Sequence, residues 1–476
     1  MRNLTMMTDL YQLTMMYGYY KTGTHEQIAV FDLFFRKPSE NSAYAIAAGL
    51  EQVVDYIQNL SFSEEDILYL DSLNLFDQNF LDLLKKLRFS GDIYAVPEGT
   101  VVFPNEPMLR VKATIFEAQF IETALLNIIN HQTLIATKAS RVVQAAQGGS
   151  VLEFGLRRAQ GPDAGIYGAR AAIIGGCSAT SNVMTGQLFG IPIRGTHGHS
   201  WVMSFPDELT SFRAYADAFP DNCLLLVDTY DTLKIGIPNA ITVFKELREK
   251  GYKPAGIRLD SGDLAYLSKK ARKMLDEAGF QDAMIVASSD LDEELIWDLK
   301  AQGAAVDVWG VGTALITSKG CPALGGVYKL VAEEVNGAII PKIKISENPA
   351  KITNPGYKKI VRIYNGGRKA VADLIMLEDE EIEQDKPITI FDPNDTWKKM
   401  TIRNYTIKEI LVPIFKNGEL VYDTPKLMDI QAYATDEMNT LWDEYKRLKN
   451  PHVYKVDLSQ KLYNLKQELL KEYSQE

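Results

Sequence analysis

Gly256-Ile257-Arg258-Leu259-Asp260-Ser261-Gly262-Asp263 is a short, largely apolar run that ends in carboxylates, a hydroxyl and a glycine. Alternation along a strand places Arg258 and Asp260 on the same side. The same design recurs on both sides of it. Val151-Leu152-Glu153-Phe154 leads into Gly155-Leu156-Arg157-Arg158, and Leu224-Leu225-Leu226-Val227 into Asp228-Thr229-Tyr230-Asp231. Met284-Ile285-Val286-Ala287 leads into Ser288-Ser289-Asp290, and Val306-Asp307-Val308-Trp309 into Gly310-Val311-Gly312-Thr313. The runs return at intervals of roughly 22–40 residues, the length of a βα unit. Apolar runs without alternation mark strands buried on both faces, hence a parallel sheet. Polar residues gathered directly after each run fall where a (β/α) barrel builds its site, at the C-terminal rim. The pattern reads as α/β: an irregular (β/α) barrel domain plus a flanking α+β domain built from the N-terminal and C-terminal regions. Residues 126–339 are assigned to the barrel, and 1–125 with 340–476 to the flanking domain.

The flanks mix strand-like and helical segments. Ile28–Phe35 and Val101–Val111 read as strands, Leu50–Leu60 and Glu64–Leu87 as helices, and 116–146 as a helical bridge into the barrel. Further strand-like runs are Ala338–Ile345, Lys359–Tyr364, Ala370–Leu377 and Tyr405–Phe415. Thr435–Tyr473 is charged and amphipathic, a tail expected to pack on its own chain, with partner binding as the alternative.

At 476 residues the chain exceeds the length at which one hydrophobic core keeps growing, so two domains are expected. A net charge of −11 speaks against nucleic-acid and anionic-membrane partners, though not against small anionic substrates held by local basic clusters. Three widely spaced cysteines, Cys177, Cys223 and Cys321, suggest a reducing, cytoplasmic setting and carry no zinc spacing. Neither a signal peptide nor an apolar stretch of roughly 18 residues is seen.

Gly195-Thr196-His197-Gly198-His199-Ser200-Trp201 holds two of the five histidines, in a turn loosened by glycines after Ile191-Pro192-Ile193. Imidazole there can serve as nucleophile, base or metal ligand. Arg157 and Arg158 beside Phe154 suit a carboxylate or phosphate, unless they pair with Asp163. Asp260 suits ribose hydroxyls or Mg²⁺ and Arg258 an anion, unless the two only pair with each other. Asp228 and Asp231 imply Mg²⁺ held through water, although Asp231 can equally cap the next helix. Gly310 and Gly312 allow close backbone approach, and the helix start at Thr313 offers N–H groups to a phosphate. Thr8 and Asp9 read as an N-cap, and nothing intrinsic marks Tyr11. Together the rim suits a phosphorylated sugar donor and a second, carboxylated substrate.

Taken in order, these motifs resemble the nicotinate phosphoribosyltransferase family. They are Asp9-Leu10-Tyr11-Gln12, Phe34-Phe35-Arg36-Lys37, Phe154 to Asp163, Gly195 to Ser200, Asp228 to Asp231, Arg258 to Asp263, Gly310 to Thr313 and Pro341-Lys342-Ile343-Lys344-Ile345-Ser346. The resemblance implies transfer of phosphoribosyl from phosphoribosyl pyrophosphate (PRPP) to nicotinate, giving nicotinate mononucleotide and pyrophosphate, with ATP hydrolysis coupled. It implies a homodimer with a shared site, Tyr11 reaching the neighbour's nicotinate ring and Phe154 stacking on the other face. By the same likeness Arg258 takes the nicotinate carboxylate, with Arg157 as a second anion contact. Asp260 holds the ribose, Asp228 the Mg²⁺–pyrophosphate region, and Gly310, Gly312 and Thr313 the 5′-phosphate, while Thr196 and Ser288 join the substrate contacts. His199 matches the phosphorylated histidine, the milder alternative being a pyrophosphate contact. Mg²⁺ is expected to be held through substrate phosphates and water, with no metal site of the protein's own. Ser181 stands near where nicotinamide-using relatives place a carboxylate, so its lack of charge favours the acid.

Three rival readings stand against this one. A metal-dependent amidohydrolase also carries His-x-His after a strand, but after His199 only His452 remains, in the C-terminal region. A nicotinamide-specific transferase is disfavoured by Ser181. A scaffold without activity is disfavoured by the complete set of polar positions.

Overall fold

Five of the six strands of a parallel sheet arise from the apolar runs, because their residues are buried on both faces. Its order is Ala179–Thr180, Ser150–Glu153, Val308–Val311, Met284–Ala287, Gly256–Leu259, Leu224–Leu226. In these strands Leu225, Leu226, Ile257, Leu259, Ile285, Ala287, Trp309 and Val311 are fully buried. Gly256 pairs with both Leu224 and Met284, and its φ of +147° is one that L side chains avoid. A Cβ there would lie 2.1 Å from the Met284 carbonyl, so glycine is what lets the strands approach.

This computed structural model describes residues 3–37 and 42–474. The chain divides into two units, Ile135–Pro322 and Met1–Leu134 with Ala323–Glu476. The divisions fall at 134/135 and 322/323, against 125/126 and 339/340 read from the sequence. The first shifts because Glu122–Ala145 is one unbroken 24-residue helix. The second shifts because Gly326–Val335 pairs antiparallel with Ile28–Phe35 and so belongs with the N-terminal region.

Among the described residues backbone pairing does not close the parallel sheet into a ring. Beyond Ala179–Thr180 the chain at 192–194 runs alongside: Thr180 N–H donates to the Pro192 carbonyl (3.1 Å) and Arg194 N–H to the Thr180 carbonyl (3.0 Å). Side chains then span to the far edge. The Thr196 hydroxyl donates to the Leu224 carbonyl (2.8 Å), and the Leu226 N–H donates to His197 Nε2 (3.3 Å). The join between the two edges of the sheet is thus a seam carried by two side chains.

Several helices of this unit start on acidic or amide caps, as their orphan N–H groups require. Asn182, Asp207, Asp231, Asp263 and Asp292 each accept the N–H of the third residue on. Asp231 therefore takes the capping role held open for it. The expected run Val306–Trp309 is displaced: the strand is Val308–Val311, because Gly310 and Val311 pair with Leu152 and Glu153. Asp307 instead stands at its entrance and accepts the Ile285 N–H (2.8 Å).

The other unit is built on an antiparallel seven-stranded sheet drawn from both ends of the chain. Its order is Ala338–Pro341, Gly326–Val335, Ile28–Phe35, Leu109–Thr114, Asp92–Ala95, Val412–Lys416, Glu419–Leu420. A four-stranded sheet, Tyr405–Glu409, Lys358–Asn365, Ala370–Leu377, Val456–Leu458, stands with it. Several expected segments are split. Val101–Val111 becomes Val101–Val102 and Leu109–Thr114, parted by a turn with Asn105 at φ +69°. Glu64–Leu87 becomes Glu64–Ser72 and Gln78–Lys85, broken at Asn74 (φ +55°) and restarted by the Asp77 cap. Tyr405–Phe415 becomes two strands in different sheets, and the tail holds the helices Leu427–Thr440 and Gln460–Ser474 with Val456–Leu458 between them. Among the described residues no helix is long and apolar enough to cross a membrane.

Candidate functional site

The C-terminal ends of the parallel strands bring the expected carboxylates, hydroxyls and imidazole together. Ser288 Oγ donates to Asp260 Oδ1 (2.5 Å), and Asp260 Oδ2 lies 3.6 Å from His199 Nε2. Asp228 Oδ2 accepts from the Asp260 N–H (2.9 Å) and the Ser261 hydroxyl (2.7 Å). Its Oδ1 is buried and, among the described residues, has no hydrogen-bond partner. His199 opens the short helix His199–Met203, and its Nδ1 is 3.1 Å from Thr229 Oγ1. Thr229 was not singled out from the sequence. The signal was its place directly after Asp228 at a strand end, where any hydroxyl faces the rim.

Arg258 is mostly buried, and its Nε has no partner among the described residues. Burial holds its guanidinium below the ordinary arginine range, Asp260 and Asp228 pull it back up, and Arg157 adds repulsion. Two guanidiniums close enough to repel, one of them desolvated, make a place where an anion gains more than it would in water. Arg157 itself is exposed on the turn Leu156–Arg158.

Phe154 is half-buried, and its ring lies against Gly310. A Cβ on Gly310 would come within 2.7 Å of Phe154 Cδ2 and 3.4 Å of the Ser288 Cβ. Gly310 lies within a strand, so the glycine serves to seat the aromatic ring. Gly312 precedes the four-residue helix Thr313–Ile316, and a Cβ there would meet the Phe154 carbonyl at 3.2 Å. Ser181 follows the strand Ala179–Thr180, its N–H donating to the Glu153 carbonyl (3.0 Å). Under it the Glu153 carboxylate is buried and accepts from Thr180 Oγ1 (2.6 Å), and burial raises its pKa. The Thr196 hydroxyl is engaged by the seam rather than turned to the rim.

Tyr11 lies in the other unit, on the first turn of the helix Leu10–Thr22, with 47% of its surface exposed. Asp9 occupies the N-cap position by its backbone, but its carboxylate takes the Thr123 hydroxyl (2.9 Å) instead of capping.

His197 and His199 do not share a task. His197 is buried against Tyr215 and accepts the Leu226 N–H, which removes it from the ligand pair an amidohydrolase needs. Burial, with the Arg258 and His199 charges adding to it, pushes its pKa down to about 4 from 6.5. Between those values the unfolded chain binds a proton that the folded protein does not. Stability is therefore full above pH 6.5 and falls as pH drops through the window, by up to about 3 kcal/mol. Urea unfolding at pH 7 and pH 4.5 should show a drop in wild type that is smaller by about 2 kcal/mol in His197→Gln. Equal pH dependence in the two proteins would contradict this.

Residues 6–130 match the family model of the nicotinate phosphoribosyltransferase N-terminal domain, and residues 357–466 that of its C-terminal domain. A nicotinate phosphoribosyltransferase of Bacillus subtilis is 50% identical over 471 residues, covering 99% of this chain and 96% of that protein. The human enzyme of that name is 34% identical over 517 residues, covering 97% and 95%. The crystal structure of human nicotinic acid phosphoribosyltransferase superposes with a TM-score of 0.85 at 32% identity, covering 97% of this chain and 99% of that one. A nicotinate-nucleotide pyrophosphorylase structure from Pyrococcus furiosus, at 22% identity and a TM-score of 0.71, shares the fold. The mixed architecture, with a parallel α/β unit and an antiparallel one, is that of these structures, and by its sequence over nearly its whole length the chain belongs to the nicotinate phosphoribosyltransferase family.

Proposed function

We propose that the chain transfers phosphoribosyl from PRPP to nicotinate, forming nicotinate mononucleotide and pyrophosphate, and that His199 couples this to ATP hydrolysis. The family carries the reaction. The observation that carries the site is Arg258, a buried and incompletely bonded guanidinium beside Asp228, Asp260 and Arg157. In this reading the nicotinate carboxylate pairs with Arg258, assisted by Arg157, and its ring lies on Phe154. The ring nitrogen attacks C1 of the ribose as the bond from C1 to the pyrophosphate oxygen breaks. Asp260, oriented by Ser288, accepts ribose hydroxyls, while Gly310, Gly312 and Thr313 line the 5′-phosphate.

Mg²⁺ fits this donor set. Among the described residues no cluster of three or more His, Cys, Asp or Glu groups forms a protein-made metal site. The unpartnered Asp228 Oδ1 is an oxygen able to meet a hydrated cation held chiefly by substrate phosphates. When bound, the ion would neutralise charge on the departing pyrophosphate.

His199 is half-buried and held from both sides by Thr229 and Asp260. In the coupling step an imidazole nitrogen attacks the γ-phosphorus of ATP, ADP leaves with the bridging oxygen, and water later cleaves the phosphohistidine. A threonine hydroxyl can donate to Nδ1 or accept from Nδ1–H, so it keeps the ring oriented in either protonation state. ATP and Mg²⁺ are in this reading co-substrate and cofactor.

A homodimer with a shared site is part of the proposal. Tyr11 is exposed, and the helix Val183–Phe189 presents Val183, Met184 and Leu188, each more than half exposed, as unpartnered apolar surface. A monomer by sedimentation at assay concentrations would remove the shared site.

The testing experiment follows mononucleotide formation from PRPP and Mg²⁺ with nicotinate or nicotinamide, each with and without ATP. Product from nicotinate, raised by ATP, is expected. Product from nicotinamide alone would overturn the specificity drawn from Ser181, and none from either would overturn the proposal.

A further inference from the structure

In the unit formed by the N- and C-terminal regions, a cavity of about 770 Å³ lies among the strand Val456–Leu458, the helix Gln460–Ser474 and the loops near 350 and 394. That is the size of a small-molecule site. Its wall holds charged groups that form no ion pair among the described residues. Lys466 is half-buried, and its Nζ donates to the neutral Asn354 Oδ1 (2.9 Å). It has no carboxylate within ion-pair reach among the described residues, and burial together with the Lys358 ammonium lowers its pKa. Lys455 also lines the cavity without an ion pair among the described residues. Facing the same space is Asp457, 3% exposed, whose Oδ2 has no hydrogen-bond donor among the described residues. Burial pushes that carboxyl up to about 6.

A buried carboxylate oxygen without a donor is costly, and so is an ammonium withdrawn from water without an anion. Opposite charges on one wall that do not pair with each other are relieved together by a ligand with an anionic end and a hydrogen-bond donor. Two ammonium groups lining one cavity match a phosphate dianion better than a carboxylate. Tyr463, with Ile375 and Leu458, adds an aromatic and apolar wall. We propose that this cavity binds a nucleoside phosphate, its phosphate on Lys466 and Lys455, a ribose hydroxyl donating to Asp457, and its base against Tyr463.

Adenosine 5′-monophosphate, titrated calorimetrically into the full-length protein, tests this. Binding should weaken at least tenfold in Lys466→Met and in Asp457→Asn, and stay unchanged in Asp260→Asn at the barrel rim. Turnover of nicotinate by Lys466→Met without the nucleotide should match wild type. Unchanged affinity in both cavity variants, loss only in Asp260→Asn, or no binding at millimolar nucleotide would overturn the proposal. Inorganic phosphate competing as tightly as the nucleotide would reduce the site to a phosphate site and overturn the nucleoside assignment. Should Lys466→Met melt well below wild type, Lys455→Met carries the same expected weakening.

Discussion

Replacing His199 by alanine is expected to abolish ATP-dependent phosphoenzyme and to lower ATP hydrolysis by on the order of 10³-fold or more, as loss of a covalent nucleophile does. Slow transfer from PRPP to nicotinate should persist without response to ATP, because Arg258, Asp260 and Asp228 remain. The geometry makes the expectation specific. His199 Nδ1 is 3.1 Å from Thr229 Oγ1 and Nε2 is 3.6 Å from Asp260 Oδ2, so the ring is held in place rather than free in a loop. Acid-labile phosphate on the protein, quantified with γ-labelled ATP, is the measurement. An unchanged ATPase rate in the variant would remove the phosphohistidine while leaving the transferase assignment intact.

Arg258→Ala should cost about 2–5 kcal/mol in transition-state binding, read as a fall in kcat/KM for nicotinate of roughly 30-fold to several thousand-fold. Two effects add. The substrate carboxylate loses its partner in a desolvated place, and Asp228 and Asp260 lose the neighbouring positive charge that now offsets them. Arg258→Lys should recover little, since an ammonium cannot reproduce the planar fork. Steady-state kinetics with nicotinate as varied substrate, checked against an unchanged unfolding midpoint, decides it. Unaltered kcat/KM would remove Arg258 from nicotinate recognition.

The parallel unit was legible because its signal is local. Uninterrupted apolar runs such as Leu224–Leu226 and Met284–Ala287 have one solution, a strand covered on both faces, and polar residues after such runs have one location. What escaped the sequence depends on pairing across distance. Ala179–Thr180 is too short to read as a strand and exists because Ser150–Glu153 lies beside it. Gly310 reads as a loop glycine, yet its neighbour strand holds it in the ladder. Gly326–Val335 reads as barrel because it follows the last βα unit, although its partner lies about three hundred residues earlier at Ile28–Phe35. At the candidate site the charged residues stood out by type, whereas Thr229 did not, since one hydroxyl carries no pattern. The two histidines read as equivalent, and only their surroundings separate a buried strut from a half-buried ring at the rim.

The side-chain seam beside His199 sets the order in which the parallel unit breathes. Elsewhere in the sheet a strand leaves only by breaking a row of amide hydrogen bonds. At this edge the Thr196 and His197 contacts are the cross-links, each worth about 1 kcal/mol. Opening there is a sub-global event that costs far less than unfolding, so the Leu226 amide exchanges with solvent ahead of the central strands. Acid acts on the same joint, because a protonated His197 can no longer accept that amide. The weakest mechanical element of the unit therefore adjoins the stretch that presents His199, and its looseness is tuned by a single proton.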